Sequence, residues 1–153
     1  MGQRFLKSRA ALSQIINAAE LTKDDIVLEI GPGKGILTEE LTKIAKQVIA
    51  VEKDERLCAF LKKKYEKTSN LKVICADILS MPRCDLGILE HEYKIVANLP
   101  YYITSRFLRI FLSQTEFRPK SMVLMVQKEV AKRMCAKPPK MNLLALSVQA
   151  FAE

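Results

Sequence analysis

The fold is decided by the stretch Ile26-Val27-Leu28-Glu29-Ile30-Gly31-Pro32-Gly33-Lys34-Gly35. Its first half is short and mostly apolar, which predicts a buried strand, and its glycines and proline predict a tight turn at the end of that strand. A helix after the turn would present free N–H groups and its positive dipole end to a ligand. The spacing is G-x-G-x-G and not the G-x-G-x-x-G of dinucleotide sites. The stretch therefore favours a nucleotide-like ligand, with a glycine turn that binds nothing as the alternative.

Strands and helices alternate along the rest of the chain. Because the strands look buried on both faces, the alternation predicts one doubly wound α/β domain over residues 1–153, with a parallel sheet. In the helix predicted at 55–65, we expect Leu57, Phe60 and Leu61 to point inward. The predicted strands are 26–30, 48–51, 71–75, 93–97 and 122–126, and the predicted helices follow Ser8 and Gly35, span 55–65, 105–112 and 128–134, and begin again at Leu143.

Composition indicates an ordinary globular domain. The chain has 153 residues, of which 49% are hydrophobic and 27% charged, which argues against a disordered segment. No apolar run approaches the roughly 18 residues of a membrane span, and the first residues contain no signal-peptide core. These features predict a cytoplasmic protein with no membrane segment.

Metal and disulfide chemistry are not indicated. Cys58, Cys75, Cys84 and Cys135 show no CxxC spacing, so reduced thiols are expected, buried in the case of Cys58 and Cys75. His91 is the one histidine of the chain, which rules out a centre of several histidines. We expect no metal site.

The charge is strongly positive. A net charge of +8 and a pI near 9.4 favour a polyanionic partner, since each neutralised phosphate releases counterions. A generally basic surface explains the charge alone equally well, but clustering favours the partner. The run Lys62-Lys63-Lys64 is expected to be only the solvated face of a helix. The clusters comprise Arg4, Lys7 and Arg9, then Arg106 and Arg109, and finally Lys128, Lys132, Arg133, Lys137 and Lys140.

Two acids follow consecutive strands on the side of the glycine turn. Glu52 closes the second strand about 20 positions past the glycines, where an acid in such folds accepts hydrogen bonds from ribose hydroxyls. Asp77 closes the third strand, where it could accept from an adenine amino group while Ile78 packs on the ring. Together the two acids predict an adenosine pocket at the edge where open α/β sheets bind ligands.

The tetrapeptide Asn98-Leu99-Pro100-Tyr101 follows the fourth strand. An adenine N6 nitrogen is a poor nucleophile because its lone pair is delocalised into the ring. The Asn98 side-chain oxygen and the carbonyl of Leu99 or Pro100 could accept its two N–H protons and draw the lone pair back to nitrogen. Tyr101 could stack on the base. A strand-ending turn without function is the alternative for these four residues alone.

The motifs together resemble those of the ribosomal RNA adenine N6,N6-dimethyltransferases, in the family's order and over nearly the whole chain. The resemblance implies a Rossmann-like fold that uses S-adenosylmethionine, with a lid of Gln3, Arg4 and Leu6 over that cofactor. The matching stretches are Gln3-Arg4-Phe5-Leu6, Glu29 to Thr38, Val51-Glu52, Ala76-Asp77, Asn98 to Ser105 and Val126 to Val130. The remaining implied roles are Gly31 and Gly33 at the methionine part, Glu52 at the ribose, Asp77 and Ile78 at the adenine, and Asn98, Pro100 and Tyr101 at the target base.

The resemblance implies methylation of two adjacent adenosines in a small-subunit ribosomal RNA hairpin, with the small ribosomal subunit as partner and a monomeric enzyme. A large-subunit RNA methyltransferase of the macrolide-resistance type and a ribosome-assembly binding module with little turnover remain alternatives. A DNA adenine methyltransferase shares the chemistry, but Leu99 and the segment from Gln3 to Leu6 fit the RNA family better.

Three features depart from the family pattern. Arg4 stands where the family usually has asparagine, and Leu143-Leu144-Ala145 stands where a Tyr-Gly pair is common. The family also continues for roughly another hundred residues, typical of a further small domain. We therefore expect the chain to lack the last two strands of the sheet and a helical RNA-binding domain, to bind the cofactor, and to methylate RNA poorly.

Overall fold

A computed structural model describes residues 8–100, 102–113 and 117–151. Five parallel strands form one sheet in the order β3-β2-β1-β4-β5, which confirms the predicted parallel α/β architecture. The strands are β1 Ile26–Ile30, β2 Gln47–Glu52, β3 Leu71–Cys75, β4 Tyr93–Asn98 and β5 Ser121–Met125. The helices are α1 Arg9–Ala19, α2 Ile36–Ile44, α3 Glu55–Lys64, α4 Thr104–Ser113, α5 Lys128–Met134 and α6 Leu143–Gln149, and Arg83–Leu86 forms a short 3₁₀ helix before β4.

Polar side chains cap several of these helices. Ser8 Oγ accepts from the backbone N–H of Ala11 over 3.3 Å at the start of α1, as the sequence predicted. Asp54 accepts from the first free N–H groups of α3 in the same way. A cap satisfies donors that a helix start leaves unpaired, so these residues fix where each helix begins. The start of α2 is different, because its cap residue is Gly35, which has no side chain to accept a hydrogen bond.

The three central strands β1, β2 and β4 are buried on both faces, as their mostly apolar sequences predict. On one face, Leu28 and Ile30 of β1 pack in a cluster that includes Phe107 of α4. On the other, Val27 packs with Leu41 of α2. Alternate residues of one strand therefore enter two different cores, and the functional edge of the sheet lies on a rigid support.

Two expectations for α3 and β3 are wrong. Phe60 is 48% exposed, and Cys58 and Leu61 instead form the buried side of α3, because Phe60 lies about 100° around the helix from Leu61. The structure also pairs Cys58 with Cys75 in a disulfide that joins α3 to β3, with Cα atoms 5.8 Å apart. Cys75 is exposed because β3 is the last strand on its side of the sheet, whereas the sequence suggested a buried thiol.

Among the described residues, no helix is both long enough and apolar enough to cross a membrane. The same residues contain no group of three or more His, Cys, Asp or Glu side chains that could hold a metal ion.

Candidate nucleotide-binding and catalytic site

The carboxyl ends of four strands meet at one edge of the sheet. Ile30 of β1 is in register with Val51 of β2 and Ala97 of β4, so the residues that follow lie side by side. The register continues past the strand, since Gly31 N–H donates to the Val51 carbonyl over 3.0 Å. The Ala76 N–H likewise donates to the Glu52 carbonyl over 3.0 Å. The structure thus brings the glycine turn, Glu52, Asp77 and Asn98 to one edge.

The glycines of the turn differ in their surroundings. Gly31 and Gly35 both have positive φ, +66° and +78°. A Cβ added to Gly31 would meet nothing within 4 Å, whereas one added to Gly35 would lie 2.8 Å from the Tyr65 ring and 2.9 Å from Leu61. Gly35 therefore lets α2 pack closely against α3. Gly31 leaves open space beside its backbone, which suits a ligand that approaches the turn.

Glu52 is tied to the glycine turn. Its side chain is only 3% exposed. Oε2 accepts from the Gly33 N–H and Oε1 from the Asp54 N–H, both over 3.0 Å. A carboxylate oxygen has two lone pairs, so each oxygen retains one for a further donor such as a hydroxyl.

The Asp77 carboxylate has two partners among the described residues. Oδ2 forms an ion pair with Lys53 Nζ at 2.9 Å, and Oδ1 accepts from the Leu79 N–H over 3.0 Å. The hydrogen bond from Lys53 is the main reason that the pKa of Asp77 lies below its usual value. The Leu79 N–H and the charge of Arg106 lower the pKa further, whereas partial burial raises it. Ile78 is 5% exposed and packs in the core below Asp77.

The segment after β4 is held by backbone contacts. The Leu99 N–H donates to the Met125 carbonyl of β5 over 3.2 Å. The Pro100 carbonyl accepts from both the Ile103 N–H and Thr104 Oγ1, each over 3.2 Å. Those two bonds use both of its lone pairs. Of the two carbonyls that the sequence suggested for the target base, this arrangement favours the one of Leu99.

Several predicted site residues cannot be placed. Gln3, Arg4, Leu6 and Tyr101 lie outside the described residues.

One buried acid below the turn, Glu29, was not among the predicted site residues. Glu29 is 1% exposed. Burial is the main reason that its pKa is raised to about 8, and the negative charge of Glu52 adds to the rise, while Thr38 opposes it. An acid inside a strand of otherwise apolar residues was the signal in the sequence, because such a strand is buried on both faces.

The basic clusters are exposed where the structure describes them. Arg106 and Arg109 are exposed on α4, which starts directly after the candidate site. Lys132 and Arg133 are exposed in the last turn of α5. These positions leave the positive side chains available to a polyanion.

Comparisons with known proteins agree with this geometry. The family model described as ribosomal RNA adenine dimethylase matches residues 1–153. The ribosomal RNA small subunit methyltransferase A of Dehalococcoides mccartyi (strain ATCC BAA-2266 / KCTC 15142 / 195) is 50% identical over 99% of this chain and 52% of its own length. A dimethyladenosine transferase from Plasmodium falciparum superposes with a TM-score of 0.83 at 36% identity, over 98% of this chain and 54% of that one. The 23S rRNA methyltransferase ErmE superposes with a TM-score of 0.76 at 32% identity, over 94% of this chain and 57% of that one.

The strand order and the site at the carboxyl edge define a Rossmann-like methyltransferase fold. The chain belongs to the ribosomal RNA adenine dimethylase family. It spans about half the length of the curated relatives it matches.

Proposed function

We propose that this chain contains the cofactor-binding and catalytic residues of an S-adenosylmethionine-dependent RNA adenine-N6 methyltransferase. The observation that supports it most is the meeting of the glycine turn, Glu52, Asp77 and Asn98 at one edge of the sheet. The proposed substrate is a pair of adjacent adenosines in small-subunit ribosomal RNA. The names of the matched relatives favour this substrate, while the similarity to ErmE keeps a large-subunit RNA as the second candidate.

The residues present fit the cofactor. In the proposal, the spare lone pairs of Glu52 accept the ribose hydroxyls, and Asp77 accepts from the adenine amino group above Ile78. The open space beside Gly31, together with Gly33, receives the methionine part. Gln3, Arg4 and Leu6 are proposed as a lid from the sequence alone. When bound, the cofactor supplies a methyl group on a positively charged sulfonium, which is a good leaving group.

The target adenine is proposed to bind at Asn98. The Asn98 side-chain oxygen and the Leu99 carbonyl would accept the two N6 protons and favour a tetrahedral nitrogen with an available lone pair. Pro100 fixes the backbone that orients this carbonyl, and Tyr101 is proposed to stack on the base. The surplus proton of the methylated nitrogen can pass to water, so no general base is required. The base must leave its stack to reach the site, which is least costly in a single-stranded loop.

We further propose that the protein acts as a monomer in the cytoplasm and that its exposed arginines and lysines contact RNA phosphates. A ribosome-assembly binding module would use the same basic surface without turnover. The two functions differ in what Asn98 does, since only an enzyme needs the side-chain amide for its main activity.

The deciding experiment measures incorporation of labelled methyl groups into immature small subunits, beside binding of the same particles. Asn98→Ala should abolish most incorporation while cofactor affinity and particle binding change little. Asn17→Ala removes the same amide from an exposed position of α1 and should leave both measurements unchanged. No incorporation by the unaltered chain or by a version extended to the family's full length, with tight particle binding, would favour the binding module, and incorporation confined to large-subunit RNA would favour the second substrate.

A further inference from the structure

A buried acid and a buried hydroxyl face each other beneath the glycine turn. Glu29 of β1 is 1% exposed and Thr38 of α2 is fully buried. Thr38 is close enough to lower the pKa of the Glu29 carboxyl. Even so, neither Glu29 Oε2 nor Thr38 Oγ1 has a partner with hydrogen-bond geometry among the described residues. A buried carboxylate with one oxygen unpartnered is costly, so the uncharged acid is the favoured form at this position.

The neighbouring carboxylate also favours the uncharged form of Glu29. Glu52 accepts an N–H hydrogen bond on each oxygen, from Gly33 and from Asp54. Its negative charge disfavours a second charge on Glu29. Burial, the unpartnered Oε2 and this neighbour therefore all favour a protonated Glu29.

No described cation forms an ion pair with Glu29. Across the turn, Tyr65 interacts electrostatically with Glu29, and its hydroxyl donates to the Gly35 carbonyl over 2.6 Å. Lys64 lies at the outer end of α3, where it is 3.8 Å from Glu39 of α2. The other elements on this face add little charge: Arg9 is the one charged residue within α1, and Lys94 of β4 pairs with Asp25 before β1, at the opposite end of the sheet.

We propose that Glu29 is an uncharged acid in the ligand-free chain and that it releases its proton to solvent when the positively charged methyl donor binds beside Glu52. This inference rests on the proposed function. A cation near the pair favours the ionised form of Glu29. The demethylated product, S-adenosylhomocysteine, has lost the sulfonium charge and favours it less. Glu29 thereby becomes a specificity-determining residue that selects the charged donor over the neutral product.

Proton release can be counted directly. Calorimetric titrations of the 153-residue chain with S-adenosylmethionine, in buffers of different ionisation enthalpy between pH 6 and 8, give the number of protons released per ligand bound. The unaltered chain should release up to about one proton, and its affinity should rise by up to about tenfold per pH unit. Because the ligand has its own titratable groups, the quantity of interest is the difference between the unaltered chain and Glu29→Gln. The variant keeps the shape of the acid but has no proton to release, so its affinity should depend less on pH.

A second measurement needs no variant. Proton release on binding S-adenosylhomocysteine should be clearly smaller than on binding S-adenosylmethionine. Equal proton release for the two ligands, or for the two proteins, would overturn the role of Glu29 while leaving the proposed cofactor intact. Absence of binding by either ligand would overturn the proposed function together with this inference.

Discussion

The backbone N–H of Gly33 donates to Glu52 Oε2 over 3.0 Å. This bond joins the turn after β1 to the acid that ends β2. A site whose groups are already fixed loses less entropy on binding than one that must be ordered. Glu52 therefore holds the shape of the turn, and its remaining lone pairs are the ones proposed to accept the ribose hydroxyls.

Glu52→Ala should weaken S-adenosylmethionine binding by about 10- to 150-fold, since a hydrogen bond to a charged group contributes roughly 1.5–3 kcal/mol. Calorimetric titration measures the loss directly. Glu66→Ala, which removes an exposed carboxylate just beyond α3, is the matched control. Unchanged affinity in a folded Glu52→Ala variant would remove the residue from the cofactor site.

The two glycines of the turn should respond differently to alanine. Gly35→Ala places a methyl group 2.8 Å from the Tyr65 ring at a φ of +78°, so backbone strain and overpacking should together lower the free energy of unfolding by about 2–5 kcal/mol. Gly31→Ala meets nothing within 4 Å and should lose only about 1–2 kcal/mol from strain.

Cofactor titration should reverse that ranking. The methyl group of Gly31→Ala would occupy the open space proposed for the cofactor, and affinity should fall more than its small loss of stability suggests. Full affinity in this variant would mean that no ligand approaches the turn at Gly31.

Much of the fold could be predicted from the sequence because hydrophobic periodicity and glycine turns are local signals. The strand and turn from Ile26 to Gly35 define both the sheet and the edge of the site, and all five strands were predicted within one or two residues. Phe60 was misplaced because residue type was given more weight than its angle around α3. The Cys58–Cys75 disulfide depends on a distance between α3 and β3 that no local pattern contains.

The candidate site was predictable only in part. Strand order places the residues after β1, β2, β3 and β4 at one edge, and the sequence motifs were enough to expect that. The bond from Gly33 to Glu52, the ion pair of Lys53 with Asp77 and the use of the Pro100 carbonyl by its own turn depend on side-chain and loop geometry. Those contacts come from packing and not from the spacing of residues.

The raised pKa of Glu29 predicts how stability depends on pH. In the folded chain this pKa is about 8, above the ordinary value of 4.5, so between these values the folded state binds a proton that the unfolded state has lost. The free energy of unfolding should therefore fall as pH rises from about 4.5 to 8, by an amount on the order of a few kcal/mol. Glu29→Gln should remove this slope and be the more stable protein above pH 8. Urea unfolding at a series of pH values tests this, with Glu66→Gln as the surface control, and an unchanged slope in Glu29→Gln would mean that Glu29 is ionised in the folded chain.

The last prediction concerns the surface proposed to bind RNA. Lys132 and Arg133 are exposed in the last turn of α5, and Lys62 and Lys63 are exposed in the last turn of α3. Replacing either pair with glutamine removes the same two charges from the same position in a helix. If only net charge attracts RNA, the two double variants should show the same reduction in affinity.

We expect unequal reductions, because α5 belongs to the late basic cluster whereas the α3 lysines were predicted to be only a solvated face. For every phosphate that a variant no longer neutralises, the slope of log affinity against log salt should become shallower by about 0.7–0.9. Titration of a small-subunit hairpin RNA at several salt concentrations would show this change in Lys132→Gln/Arg133→Gln and little change in Lys62→Gln/Lys63→Gln, with cofactor affinity unaltered in both. Equal slopes in the two variants would mean that α5 does not bind the phosphates and that the RNA-binding surface lies elsewhere on the protein.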